Sequence, residues 1–416
     1  MIFVEVLNYS FVFMTGGLIS YYLLISLSAL KRDDNIDYTA GKIRKFAVIV
    51  FAHEKKQLLS SLLYSVSGLV YLKNKYDVIV IADSYANDIV QTAEKMGAKV
   101  MVPPIGTRKR HKKNILPWAF ESLLQENKSY DAFVLFDSDG LVSGNYLEVM
   151  NYYLEQGNEV VQCSYSNLYS PKNWVDKISE VNFIIDRVVY PRGRKVLGMG
   201  TALQSNGICF STALLREIPW KIDKQSNITE YGLDLKLDGI DIAFASSAVV
   251  FTKIPTTHSG KGESNYFSNP NAGHFHLIRK YISRFLRGRV NRNSVKYIDL
   301  LFGLIIPQFS NLVLFVISMA IIDGMLWGVG WISLSALLLW VLLIGIVLIN
   351  VSVALIVAGG KQKFLKQIMM YIPVNIYIKV KRFFQRNGKN EKSIVAPDDG
   401  NDKYVTVSDD NQPVQQ

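Results

Sequence analysis

The sequence predicts an α/β domain with a mixed, mostly parallel sheet, carried between an N-terminal membrane helix and a C-terminal membrane hairpin. Three observations predict it. Strand-like and helix-like segments alternate from residue 46 onward, three long stretches carry no Asp, Glu, Lys or Arg, and basic residues crowd the ends of those stretches. A chain of 416 residues with 49% hydrophobic content has room for one large globular domain plus accessories, which excludes disorder of the whole chain.

The uncharged stretches are 6–30, 300–322 and 324–360. At about 1.5 Å per helical residue each can cross a hydrocarbon core of about 30 Å. No Lys or Arg precedes the first and no small-residue cleavage site closes it, so residues 1–30 are expected to stay as an anchor rather than leave as a signal peptide. The third and second stretches form a hairpin over 299–360 with its turn near Asp323. Lys31, Arg32, Lys42, Arg44 and Lys45 make 31–45 a basic linker, Arg279 to Lys296 make 279–298 a basic interfacial helix, and 361–387 a second one. The positive-inside rule then puts the N-terminus outside and residues 31–296 and the C-terminus in the cytoplasm of a multi-pass inner or plasma membrane protein. Residues 388–416 are polar and expected to be a disordered tail. The net charge of +11 follows the membrane edges, so no nucleic-acid partner is expected. Cys163 and Cys209 lack metal-ligand spacing and read as buried free thiols in a reducing compartment.

Within the cytoplasmic domain, 46–278, the runs 46–52, 77–82 and 132–136 read as strands and 54–72 and 86–97 as helices. Such alternation places a ligand site at the carboxyl ends of the strands. Asp83 and Asp88 follow the second strand, and Asp137 and Asp139 follow the third. Two carboxylates two positions apart, delivered by the strand in FVLFDSDG, make a compact hard-oxygen site for Mg²⁺ or Mn²⁺ that substrate phosphates complete. Alone, an Asp-x-Asp is also a common solvated turn; its context gives it weight.

That context is a series of blocks: VIVFAHEKKQLLSSLL, VIVIADSYANDIVQTAEKMGAKV, RHKKNILPWAF, FVLFDSDGLVSGNYL, LQSNGICFS and GIDIAFASSAVVFTKIPTT. In order and spacing they resemble the inverting family-2 glycosyltransferases of the cellulose- and hyaluronan-synthase-like kind, over roughly residues 46–257. The resemblance implies a GT-A fold, the nucleotide-diphospho-sugar transferase architecture, with a nucleotide-sugar donor, most simply a UDP-sugar. It places Ala52 and His53 against the nucleobase, Asp83 on the uracil or ribose, Lys112 near the nucleotide, and Asp137 and Asp139 at the metal and diphosphate. It also implies a carboxylate base at a helix start, matched here within ITEYGLDLKLDGI. Glu230 stands at the family position with Thr229 ahead of it as a cap, and Asp234, one turn on, is the second candidate. Arg110, Lys112 and Lys113 supply cations that can neutralise a diphosphate leaving group.

The pattern also departs from the family. Phe51 and Glu54-Lys55 replace residues usual at the first strand end, and residues 258–281 lack the Gln-x-x-Arg-Trp of processive synthases. The preferred expectation is therefore transfer of one sugar to a lipid-linked or glycan acceptor in exopolysaccharide or cell-surface glycan assembly. A processive β-glycan synthase and a catalytically silent scaffold that binds other glycan-assembly proteins are the alternatives. His258, His274 and His276 could add a late metal ligand, Trp174 and Trp220 could stack on sugar, and Asn206-Gly207 could approach the acceptor. Loop packing, core packing and a plain tight turn explain the same residues.

Overall fold

A computed structural model describes residues 2–31, 36–38, 41–52, 56–82, 87–104, 112–126, 130–168, 174–220, 228–252, 278–283, 303, 309–357, 405–407 and 413–415. The run expected at 46–52 is strand β1 (Phe46–Ala52), buried along its whole length. Its alternate side chains feed two cores: Phe46, Val48, Val50 and Ala52 enter one, while Ala47, Ile49 and Phe51 enter the other. A strand covered on both faces has no solvent side, so its sequence reads as a continuous apolar run.

The first half continues with α2 (Lys56–Ser67), β2 (Tyr76–Ala82), α3 (Asn87–Lys95), β3 (Lys99–Met101), α4 (Lys112–Gln125), β4 (Ala132–Asp137), β5 (Gly140–Val142) and α5 (Tyr146–Glu155). Helix α2 ends short of residue 72 because the Gly68 amide donates back to Tyr64 and Ser65 carbonyls and closes the last turn. The second half holds β6 (Val160–Asn167), α6 (Trp174–Ile184), a π-helical turn (Ile185–Val189), α7 (Tyr190–Val196), β7 (Ile208–Ser211), α8 (Thr212–Glu217), α9 (Ile228–Leu237) and β8 (Ile242–Thr252). Ser211 caps α8 by accepting the Leu214 amide at 3.1 Å. The eight strands form one sheet in the order β3-β2-β1-β4-β7-β6-β8-β5. β1 to β4 run parallel to one another and β6 runs parallel to β8, whereas β7 and β5 run against their neighbours.

Three helices among the described residues are long and apolar enough to cross a membrane: α1 (Ile2–Ser28), α10 (Phe309–Gly328) and α11 (Leu334–Val357). The hairpin turn lies at 329–333, not near Asp323, which sits buried inside α10. The carboxylate is tolerated there because Asn8 of α1 donates to it, and Trp340 of α11 donates its Nε1 proton to Asn8 Oδ1 at 2.9 Å. Beyond 388, where no structure is expected, β9 (Val405–Val407) and β10 (Pro413–Gln415) form one short antiparallel ladder, an element with little stability of its own.

Helices α6 and α7 are seated on these apolar helices. Val181, Ile184, Ile185 and Val189 share one apolar cluster with Tyr22, Phe309 and Val351 of the spanning helices. At Gly193 the backbone of α7 meets α1 so closely that an added Cβ would lie 2.0 Å from the Ile25 carbonyl oxygen. Arg192 donates to the Lys31 carbonyl at 3.1 Å, and Arg194 donates to Tyr21 Oη at 3.2 Å.

Two outcomes follow. Gly193→Leu should destabilise the protein by about 2 kcal/mol or more through overpacking, seen as a lower thermal midpoint in lipid nanodiscs. At the opposite edge of the sheet burial alone would raise the Asp77 carboxyl, yet the Tyr130 hydroxyl at 2.6 Å and the Lys99 ammonium at 3.2 Å hold it below its ordinary value. A lowered folded pKa gives stability that is present above the unfolded value of about 3.9 and lost as pH falls through the folded one. Asp77→Asn should therefore lower the thermal midpoint at pH 7, with the difference from wild type shrinking below about pH 4.

Candidate active site

The parallel register levels three strand ends at one edge of the sheet. Ala52 of β1 pairs with Ala82 of β2, and Phe51 pairs with Asp137 of β4. Ala52 is buried there, Asp137 is half-buried, and Asp139 is exposed in the turn between β4 and β5. His53, Asp83 and the Lys112 side chain fall outside the described residues, as do Arg110, His258, His274, His276 and the side chains of Lys113 and Trp174.

The Asp137 backbone is fixed from below. Its amide donates to Asn206 Oδ1 at 3.1 Å, and the Ser138 amide donates to the Phe51 carbonyl at 3.2 Å. The Asn206-Gly207 pair is indeed a tight turn, with Gly207 at φ 64° and room for no side chain, since an added Cβ would lie 2.1 Å from Cys163 Sγ. Two further buried side chains hold the turn. Gln162 donates through Nε2 to the Asn206 carbonyl at 2.9 Å and accepts the Gln204 amide at 2.8 Å, and the Tyr165 hydroxyl donates to the Asn206 carbonyl at 2.5 Å. Arg187, in the π-helical turn, donates to Gln204 Oε1 at 2.6 Å. Buried amides need partners, and these bonds supply them within the network. Sequence reasoning missed it; the signal was a single Gln inside the apolar run VVQC. Both cysteines are free and buried, as expected, and burial pushes the Cys163 thiol up to about 12, which leaves it unreactive.

Alternation along β4 puts Asp137 on the face of Phe133 and Leu135, the face that packs on α4 and α9. α9 carries both candidate bases: Glu230 is buried and Asp234 half-buried. The helix begins at Ile228, so Thr229 lies within its first turn instead of capping it. A short helical segment, 278–283, brings two residues the sequence did not single out for this site. The Lys280 ammonium donates to the Glu230 carboxylate, and the Tyr281 hydroxyl lies 2.8 Å from Asp234 Oδ1 and 3.1 Å from the Glu230 carbonyl. Trp220 belongs to the core, stacked between Phe120 at 5.6 Å and Tyr231 at 5.0 Å, and is no sugar platform.

Among the described residues no group of three or more His, Cys, Asp or Glu gathers around one point. Asp137 and Asp139 are two hard oxygen donors at the end of β4, residue types that fit a divalent cation completed by phosphate oxygens and water. Gly207→Ala should cost roughly 2–4 kcal/mol, because the positive φ and the Cys163 contact both oppose a side chain. Asn206→Ala should cost less in stability, and thermal midpoints of the two variants compare them.

No curated protein sequence matches the chain. Among solved structures, the mannosyltransferase PcManGT of Pyrobaculum calidifontis, in complex with GDP-Man and Mn²⁺, superposes with a TM-score of 0.55 at 13% identity, covering 88% of this chain and 98% of that one. TarS 1–349 of S. aureus in complex with UDP-GlcNAc aligns at 12% identity over 89% of this chain and 99% of that one, with a TM-score of 0.44. The mixed sheet and its covering helices are the GT-A fold. The model of the family described as glycosyltransferase like family 2 matches residues 44–267, more than half of the 416 residues, so the chain belongs to that family and is a glycosyltransferase.

Proposed function

We propose that this glycosyltransferase is a multi-pass membrane enzyme whose cytoplasmic domain transfers one sugar, with inversion, from a nucleotide sugar to a lipid-linked or glycan acceptor in exopolysaccharide or cell-surface glycan assembly. A UDP-sugar is the first donor to test, and the GDP-Man in the mannosyltransferase complex makes a GDP-sugar the second. The observation that carries the reading is the union of two features in one body. The sheet edge bearing Asp137 and Asp139 belongs to the same domain whose helices α6 and α7 are seated on three apolar spanning helices.

Ala52, His53, Asp83 and Lys112 would take the nucleoside part of the donor at the ends of β1, β2 and the start of α4. Asp137 and Asp139 would hold Mg²⁺ or Mn²⁺, which when bound neutralises the diphosphate as it leaves. Glu230 would accept the proton of the acceptor hydroxyl as that oxygen forms its bond to the anomeric carbon from the side opposite the diphosphate. Lys280 bonds the Glu230 carboxylate and Tyr281 bonds Asp234 one turn on, so both candidate bases are held on one helix, with Glu230 the first to test and Asp234 the second. A single transfer needs no polymer channel, which suits a bundle of three described spans.

The test is a screen of nucleotide sugars against membranes holding the protein, with Mn²⁺ or Mg²⁺, reading nucleoside diphosphate release and the size of the glycan product. One added sugar supports the reading, and a ladder of products contradicts it. Asp139→Ala and Glu230→Gln should each lower turnover by about 10³-fold or more, Asp234→Asn by about tenfold, and chelation of the metal should abolish it. Unchanged turnover in Glu230→Gln would remove Glu230 as the base.

A further inference from the structure

We propose that Lys280 is a positioning residue for the transfer step, whose ammonium keeps the buried Glu230 carboxylate charged and aimed as a proton acceptor. The role rests on Glu230 being the base, as proposed above, and adds the residue that lets a buried carboxylate act as one. Residues 278–283 belong to the stretch that the sequence presents as a basic interfacial helix, and three consecutive polar side chains within them divide. Arg279 is exposed, Lys280 is half-buried, and Tyr281 is 1% exposed.

Tyr281 is the anchor. Its hydroxyl lies 3.1 Å from the Glu230 carbonyl and 2.8 Å from Asp234 Oδ1, so it grips two successive turns of α9. With Tyr281 seated, the backbone of its neighbour Lys280 is already placed, and the ammonium also lies 5.6 Å from the Tyr281 ring centroid. Lys280 therefore donates to Glu230 Oε1 without the full entropy cost of ordering a long side chain on a free segment.

The need for a cation follows from burial. The Glu230 side chain is 6% exposed, and Asp234 stands one helical turn away on the same face. A carboxylate removed from water beside a second one takes up a proton unless a positive charge faces it, and a protonated Glu230 cannot take the proton of the acceptor hydroxyl. The N-terminus of α9 adds only a partial positive charge, spread over its first turn. A carboxylate has two oxygens and about four lone-pair sites, so the bond from Lys280 to Oε1 is compatible with proton transfer to the same group.

The unequal exposure of the pair suits the step. The acceptor oxygen gives its proton to Glu230 and a lone pair to the anomeric carbon. The bond from that carbon to the diphosphate oxygen breaks with its electron pair leaving on the diphosphate, and Lys280 gives up no proton. Once Glu230 is neutral, the Lys280 side chain, 31% exposed, is hydrated instead of being stranded as a buried unpaired charge. A fully exposed cation, screened by water, would hold the carboxylate weakly.

The experiment uses the full chain in membranes with Mn²⁺ and with UDP-glucose, UDP-N-acetylglucosamine and GDP-mannose as donor probes, reading nucleoside diphosphate release. Lys280→Met should lower kcat by about 10²-fold while the donor KM stays within about twofold of wild type, since the charge acts on the proton transfer and not on the donor. Lys280→Arg, or n-butylammonium added to Lys280→Ala, should restore turnover by about tenfold or more over the uncharged variant. In nanodiscs, Lys280→Met should lower the thermal midpoint of the wild type by about 3 °C or more and that of Glu230→Gln by less than about 1 °C, because only the ionised partner needs the cation. Lys280→Gln serves if Lys280→Met does not fold. Turnover in Lys280→Met equal to or above wild type, while Glu230→Gln is inactive, overturns the positioning role and leaves the transferase reading intact. Equal midpoint losses in the two backgrounds, or restoration by neither added charge, also overturn it. Wild-type membranes inert toward every probe, or Glu230→Gln as active as wild type, overturn the reading on which the role rests, and the role with it.

Discussion

The hydrogen bond from the Asp137 amide to Asn206 is the constraint on which the site depends. It pins the end of β4 to a turn whose own carbonyl is held by Gln162 and Tyr165 inside the sheet. A carboxylate at a strand end otherwise has the freedom of a loop, and a cation site built on it would be loose. Here the backbone is fixed by buried amides, and leaving any one of them without its partner would cost about 1–3 kcal/mol. The polar cost of burying Gln162, Gln204 and Asn206 is offset by the hydrogen bonds they make with one another and with the Asp137 amide.

The same network reaches the three long apolar helices. Gln204 is bonded by Arg187, and Arg187 stands in a π-helical turn whose neighbours Ile185 and Val189 pack among the spanning helices. π-helical turns cost hydrogen-bond geometry and are found often at functional sites. In this chain the turn lets one helical segment serve two masters, an apolar face toward α1 and α11 and a guanidinium toward the site. The anchor is thereby a structural part of the catalytic half and not a tether added to it.

The parts of this arrangement that local sequence specifies were legible. β1 and β4 announced themselves because strands covered on both faces must be apolar throughout, and FVLFDSDG announced the place where that cover ends. The spanning helices were legible for the same reason. What escaped depended on distant partners. Hydropathy treats Asp323 as the end of a span, yet Asn8, 315 positions away, satisfies it within the bundle. Lys280 and Tyr281 read as members of a basic interfacial stretch, and only the tertiary fold brings them to Glu230 and Asp234. Gln162 was not singled out, because the Asn206 carbonyl and the Gln204 amide that it bonds lie more than 40 residues on.

The central claim is that Asp137 and Asp139 together hold one divalent cation under a nucleoside diphosphate at this sheet edge. It is tested most directly by electron paramagnetic resonance titration of Mn²⁺ into the purified full chain, with and without UDP or GDP. The account predicts that the nucleotide tightens Mn²⁺ binding in the wild type and that Asp137→Asn and Asp139→Ala each remove the nucleotide-dependent component while the fold persists. Undiminished nucleotide-dependent Mn²⁺ binding in both variants would contradict it.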